Sequence, residues 1–502
     1  MNRNRPQKRK ALLKLFSVIL AICISFCASA HTAAGTQEIS GNEDDEIIIM
    51  TGRVNTETFD GDLVSDAVDA YLYPLLGVHV RLLFIEQEKN NEIMNQFSTY
   101  SKMPDALLVW VGEDVEHLAR NGKLMPLDDF LSGTGAETAG QFTDPVVLNA
   151  HRYNGHIYSL PTLTDRSHAV CLEYRKSIAD KYQLDLGSVH TVYDLEPVFE
   201  KLRNEAPEIV PISEFGFISW TWDPLKDELG VLPDFGQAAQ VVNLYETQQY
   251  REICHLINDW QHKGYLKPDN SNTALNGFMR SPWIFSRIRK YAPNLPFMDS
   301  ADAGEEMGCI VLTDSFVYTD LTQYASWAVS ATTGHPEEVL SFIKLMYTDS
   351  TLMNLLSYGI EGVHYVIKDA EKGIIGFPEH LSIYNSGYAQ FRSYFYGNEF
   401  LCYLWEGYPT DLWKKVQQTN ETSIRSRAYG FLYDPSPVQE QVDQCKYIVS
   451  KYQPLLNSGV GDPDELLKAL CEELDQAGIR DIIAEKQQQL EKWLNDQKEE
   501  TD

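Results

Sequence analysis

The chain has 502 residues, with 42 Lys and Arg against 72 Asp and Glu and a formal net charge of −30. That balance argues against nucleic acid or an anionic membrane surface as a partner, because both repel an acidic chain. A chain this long outgrows a single ordinary hydrophobic core, so two or more lobes are expected.

The N-terminus predicts export. Arg3, Arg5, Lys8, Arg9, Lys10 and Lys14 precede an apolar run from Leu15 to Ala30 that ends in Ala28-Ser29-Ala30. A basic start, a short apolar centre and a small-residue exit make a secretory signal peptide over 1–30. The competing reading is a membrane anchor, but the run falls short of the ~20 apolar residues that span a bilayer. Cys23 and Cys27 follow Ile22 and Phe26, large residues where lipoprotein processing needs a small one, so secretion without a lipid is expected. The mature chain would carry 36 basic against 72 acidic residues. Its six cysteines form no CxxC pair, which argues against a zinc ribbon or a thioredoxin motif; buried free thiols are expected. Residues 31–45 are small, polar and acidic and read as a disordered tether.

From residue 46 the elements alternate. Glu46–Met50 reads as a strand, 60–74 as a helix, Val78–Ile85 as a strand, 87–100 as a helix, Asp105–Trp110 as a strand and 113–121 as a helix. Such alternation predicts an α/β lobe with a largely parallel sheet. Asn154-Gly155, between Arg152-Tyr153 and His156-Ile157-Tyr158, is a hairpin turn, and Leu160-Pro161 closes that unit. A strand over His168–Tyr174 opens a second α/β region with helices at Leu195–Asn204 and Gln248–Lys263. Three helices end the chain, at 436–455, 463–476 and 479–496, as a helical cap. Asp462 reads as the N-cap of the second of these.

Several segments carry a family resemblance. MPDALLVWVGEDVEHLARNGKLMPLDDFL (103–131) resembles the first-lobe signature of maltodextrin-type solute-binding proteins of ABC importers. HRYNGHIYSLP (151–161) resembles the family's hairpin before the chain crosses between lobes. CLEYRKSIADKYQLD (171–185) is similar to its strand-to-helix step, with Ser177 where an acid is common. Residues 245–266, 335–365 and 477–494 resemble a long-chain gram-positive subgroup.

The resemblance implies an α/β, two-lobed, periplasmic-binding-protein-like fold with a hinge and the C-terminal cap. Lobe 1 is expected from 46–162 and 308–360, and lobe 2 from 163–307 and 361–502. It implies an extracytoplasmic, monomeric protein that binds a solute, most simply an oligosaccharide, and hands it to ABC permease subunits. No catalysis, cofactor or metal is implied. P-loop, nucleophile-elbow and zinc-protease motifs are absent from the sequence. A secreted glycoside hydrolase remains the alternative, because 72 acids leave room for a catalytic pair.

Sugars stack on aromatic rings and hydrogen-bond to polar side chains, so aromatics beside polar residues in loops are the candidates. Trp110 ends a predicted parallel strand with Glu113 and Asp114 behind it; Gly52, Arg53 and Asn55 follow the first strand likewise. The competing readings are a core tryptophan and an exposed charge. Thr162, Asp165 and Arg166 follow the crossover proline and face the cleft or only the hinge. Trp220, Trp222 and Asp223, and separately Trp283, stand in irregular stretches, as sugar platforms or as packing under a loop. Trp327, before Ala328-Val329-Ser330, reads as core, whereas Trp405 and Glu406, before Gly407, resemble a late loop that closes over ligand.

Overall fold

The structure is a computed structural model. It describes residues 45–53, 59–86, 103–109, 112–213, 220–266, 278, 281–293, 295–319, 325–383, 385–388 and 393–499. The expected signal peptide, tether and 87–100 helix lie outside these residues.

In chain order the main elements are β1 (Glu46–Arg53), α1 (Gly61–Leu76), β2 (His79–Glu86), β3 (Ala106–Val109), α2 (Gly112–Arg120), β4 (Ser159–Pro161), β5 (Val170–Arg175), α3 (Glu196–Glu205), β6 (Val210–Ile212) and α4 (Gln248–His262). There follow β7 (Ile284–Lys290), α5 (Leu295–Ala303), β8 (Met307–Val311), β9 (Ser326–Val329), α6 (Pro336–Thr348), α7 (Ser350–Tyr358), β10 (Val366–Asp369), β11 (Ile374–Gly376) and β12 (Leu404–Trp405). The chain ends in α8 (Leu412–Thr422), α9 (Gln439–Ser458), α10 (Pro463–Ala477) and α11 (Ile479–Glu499).

The first sheet has the order β2-β1-β3-β9-β4. β1 runs parallel to β2 and β3, while β9 lies antiparallel between β3 and β4. Both faces of this sheet are covered, which is why β1 is apolar without alternation. Ile47 and Ile49 enter a large core with Val64, Val68 and Leu72 of α1, whereas Met50 joins Leu107, Val115 and Leu118 on the other face. The second sheet has the order β8-β5-β7-β6 and is mostly antiparallel. Here β5 alternates. Val170 and Leu172 enter a second core, while the buried Glu173 faces Arg287, Arg289 and Asp299. A small sheet, β10-β11-β12, flanks the first core.

Between them lies the Asn154-Gly155 hairpin, with φ of 48° and 84° as a tight two-residue turn requires. The C-terminal helices close the second core with Val442, Cys445, Leu467, Leu470, Leu474, Ile479 and Ile482. Asp462 caps α10 by accepting from the backbone N–H of Asp464 and Glu465.

Contacts divide the chain between the cores differently from the expected boundaries. β8 returns to the second sheet because its register locks Met307 against Arg175. Tyr365, Ile375, Tyr388, Phe395 and Trp405, which follow the expected crossing at 360, stay in the first core. The six cysteines among the described residues are free thiols.

Candidate functional site

A cavity of about 430 Å³ opens where the two sheets' surroundings meet, a volume in the range of small-ligand sites. Its floor is the crossover segment after β4. Two neighbours zip this segment into place: Thr162 N–H donates to Ala325 O, Leu163 N–H to Gly397 O, and Glu399 N–H to Leu163 O. Asn420 of α8 clamps it further, donating to Thr164 O at 2.8 Å and accepting from Arg166 N–H at 2.8 Å. The floor is therefore rigid, as a binding constellation needs.

On that floor Asp165 forms a side-chain turn. Its Oδ1 accepts from Ser167 N–H at 2.9 Å and Ser167 Oγ at 2.7 Å. Among the described residues, neither its buried Oδ2 nor the buried Thr162 Oγ1 has a hydrogen-bond partner. Buried polar atoms are nearly always satisfied, so two such atoms on residues that line one cavity set this floor apart. Beneath them Glu399 accepts from Thr164 Oγ1 and, at 3.0 Å, from Ser393 Oγ. Burial, reinforced by the nearby Asp165 charge, holds the Glu399 carboxyl up at about 7.

One wall is aromatic. Trp405 packs edge-on to Tyr358 at 5.6 Å and against Phe377 at 4.5 Å. Tyr408 and Trp413 continue that wall, and Trp413 Nε1–H is anchored on Cys402 O at 2.8 Å. The opposite wall is the end of β7 and the loop after it, with Arg289, Lys290 and Tyr291. Arg289 is neutralised by Asp299 at 2.6 Å. Burial pushes the Lys290 ammonium below the ordinary lysine range, opposed by Asp165.

Of the residues singled out in the sequence, the structure brings Asp165, Arg166 and Trp405 together in this cavity. Asn55 and Trp110, and the side chain of Asp114, lie outside the described residues. Arg53 pairs with Glu86 and lies 5.3 Å over the Phe59 ring, away from the cavity lining. Glu406 is exposed beyond the lining, and Trp283 is exposed at the start of β7.

Trp220, Trp222 and Asp223 form no surface platform. Both tryptophans are buried in the second core, with Trp222 Nε1 donating to Glu228 at 3.2 Å. Asp223 is fully buried and accepts from Leu225 N–H and from Thr319 N–H and Oγ1. The physical reason is the helical cap. α11 packs over this irregular segment, where Lys486 pairs with Asp227 and Gly230 lies close to Ile483. Lys290, Glu399, Tyr358, Tyr408 and Trp413 were missed. The run Trp405-Glu-Gly-Tyr408-…-Trp413, three large aromatics in nine residues, was the available signal.

Residues 77–362, more than half of the chain, match the model of the family described as bacterial extracellular solute-binding protein. This chain belongs to that family. Residues 427–495 also match a domain of unknown function, DUF3502. The chain is 23% identical, over 364 residues, to a carbohydrate ABC transporter substrate-binding protein of Streptococcus pneumoniae, covering 71% of this chain and 73% of that one. Its fold is that of the N-glycan transport solute binding protein from Streptococcus pneumoniae, with a TM-score of 0.80, 19% identity, and coverage of 90% of this chain and 100% of that one. The same protein in complex with Man5GlcNAc superposes with a TM-score of 0.70 at 18% identity, covering 90% and 99%. A kestose complex of a Streptococcus pneumoniae ABC-transporter substrate binding protein gives 0.63 at 15% identity, covering 90% and 99%. The fold is thus the two-lobed one of this family, with the cavity at the junction of its lobes.

Proposed function

We propose that this protein captures an oligosaccharide in the cavity between its lobes and delivers it to the permease subunits of an ABC importer. The observation that carries this reading is the combination in one cavity lining of an aromatic wall, Trp405, Tyr408 and Trp413, with Thr162 and Asp165, whose buried Oγ1 and Oδ2 have no hydrogen-bond partner among the described residues. A sugar ring offers an apolar face to the first and hydroxyl donors to the second. The names of the similar proteins, for carbohydrate and N-glycan transport, support the same ligand class.

The protein acts outside the cytoplasm as a monomer. Its leader is removed after Ala30 and no lipid is attached, in keeping with Ala28-Ser29-Ala30 and the large residues before Cys23 and Cys27. It is a binder rather than a hydrolase. A glycosidase needs two carboxyl groups flanking the scissile bond, and what favours the binder is the likeness to solute-binding proteins over most of the chain. Calorimetry on an oligosaccharide panel, run beside a product assay on the same mixtures, tests this. Saturable binding without hydrolysis is expected; turnover of any bound glycan contradicts it.

A further inference from the structure

No role is assigned to the C-terminal domain, residues 427–495, yet its first residues touch both lobes. Among the described residues, three stretches of chain that run between the lobes are paired to one another. His168 and Phe316 exchange backbone hydrogen bonds at 2.7 and 2.8 Å. Phe316-Val317 in turn runs parallel to Ile424-Arg425, with Ile424 N–H donating to Ser315 O and Ser426 N–H to Val317 O, both at 3.0 Å. The third stretch continues through 428–434 into the helical cap.

Along 428–434 the side chains divide between the lobes. Tyr429 is buried in the first core, and its hydroxyl donates to Asp144 Oδ2 at 3.1 Å; Arg425 pairs with the same carboxylate at 3.0 Å. Leu432 packs on the other face of the first sheet, against the cluster of Met50, Leu107 and Leu118. Phe431 and Tyr433 are instead buried with Leu225, Leu232 and Leu490. Phe431 meets the Trp493 ring of α11 at 5.9 Å, and Lys486 lies over the Tyr433 ring at 5.0 Å. Gly430 lies between Val146, which packs on the first core, and Trp493. Gln489 of α11 fixes the end of the segment, accepting from Asp434 N–H at 2.9 Å and donating to Asp434 O at 2.8 Å. Lobes swinging apart would have to draw Tyr429 and Leu432 from one side or Phe431 and Tyr433 from the other, and exposing those side chains is costly. We propose that the C-terminal domain is a brace: anchored by α11, it holds 429–433 across the lobe junction and limits how far the cleft opens. Closure on a ligand then starts from a resting angle that the brace sets.

The test needs no ligand, so its outcome is independent of the carbohydrate reading. Leu432→Ala combined with Tyr429→Phe weakens the segment's hold on the first lobe and leaves its anchorage in the cap. Small-angle scattering of the ligand-free protein should then give a larger radius of gyration than the parent's, with unchanged far-ultraviolet circular dichroism. Leu470→Ala, which opens a cavity in the second core, controls for lost stability: it should melt earlier and keep the parent's radius. Tyr429→Phe alone deletes one hydrogen bond and little packing, and decides the matter if the double variant fails to fold. Its Ile424 and Ser426 amides should exchange hydrogen about fivefold faster than the parent's, while those of α10 keep the parent's rate. An unchanged radius in the folded double variant, an equal expansion in Leu470→Ala, or unchanged exchange at Ile424 and Ser426 overturns the brace.

Discussion

Glu399 couples the cleft to pH. Its carboxyl, buried and held up at about 7 against an ordinary glutamate value of 4.5, binds its proton more tightly in the folded state than in the unfolded one. Stability therefore falls as pH rises through that window, by ~3 kcal/mol in order of magnitude, and the penalty is complete above it. Glu399→Gln keeps the side chain neutral. It should melt near the parent at pH 4 and clearly above it at pH 8; parallel melting profiles for the two proteins would refute this. Two tryptophans make a second contrast at this scale. Trp222→Ala should cost about 3–5 kcal/mol of stability, because the ring fills the second core. Trp405 is buried too but forms part of the cavity wall, so Trp405→Ala should weaken glycan binding beyond what its lost packing explains. Equal affinity in Trp405→Ala, measured on the fraction that remains folded, would remove it from the site. The sequence distinguished these rings poorly. Trp222 stands in an irregular stretch and Trp405 in a two-residue strand, and what separates them is distant chain: Trp222 shares the second core with Ile479 and Ile482 of α11, more than 250 residues away, whereas Trp405 belongs to the first. Asp165 and Arg166 were singled out because they follow the crossover proline, and the structure places both on the cavity lining. Lys290 was not, because it closes a strand with no local pattern around it.

At the scale of elements, two close fits hold the lobes in their shape. The segment 396–399 crosses the end of α6 so tightly that a Cβ on Gly397 would come within 2.5 Å of Met346 O. That backbone cannot give way, and Gly397→Ala should destabilise by about 1–3 kcal/mol and loosen the Leu163 and Glu399 hydrogen bonds of the cleft floor. A thermal melt identical to the parent's would contradict it. In the second lobe Lys486 of α11 is fully buried on Asp227 and also donates to Gly230 O at 3.1 Å. Lys486→Ala leaves Asp227 buried and unpaired and should cost about 3–5 kcal/mol; adding Asp227→Asn should recover part of it. No recovery in the double variant would mean that the pair is not the source of the loss. The helices at the chain's end were readable to within a few residues from Gly and Pro punctuation and the Asp462 cap. The return of β8 to the second sheet was not, since nothing local marks which sheet a five-residue strand will join.

At the scale of the molecule, the two sheets and their cores form one two-lobed body whose cleft presents groups from both sides, Trp405 from one and Lys290 from the other. A ligand can favour closure only through contacts with both. Small-angle scattering should therefore show a smaller radius of gyration with saturating glycan, and Trp405→Ala should blunt the change. Fold class was readable from strand–helix alternation and family resemblance; the lobe boundaries were not, because they depend on pairings between residues far apart in the chain, such as β9 between β3 and β4. The most direct test of the central claim is a crystal structure of the protein with a bound oligosaccharide. The account predicts the sugar between the lobes, a ring against Trp405, and hydroxyls within hydrogen-bonding distance of Thr162 Oγ1 and Asp165 Oδ2. A glycan bound elsewhere, with both oxygens still unpartnered, would contradict it.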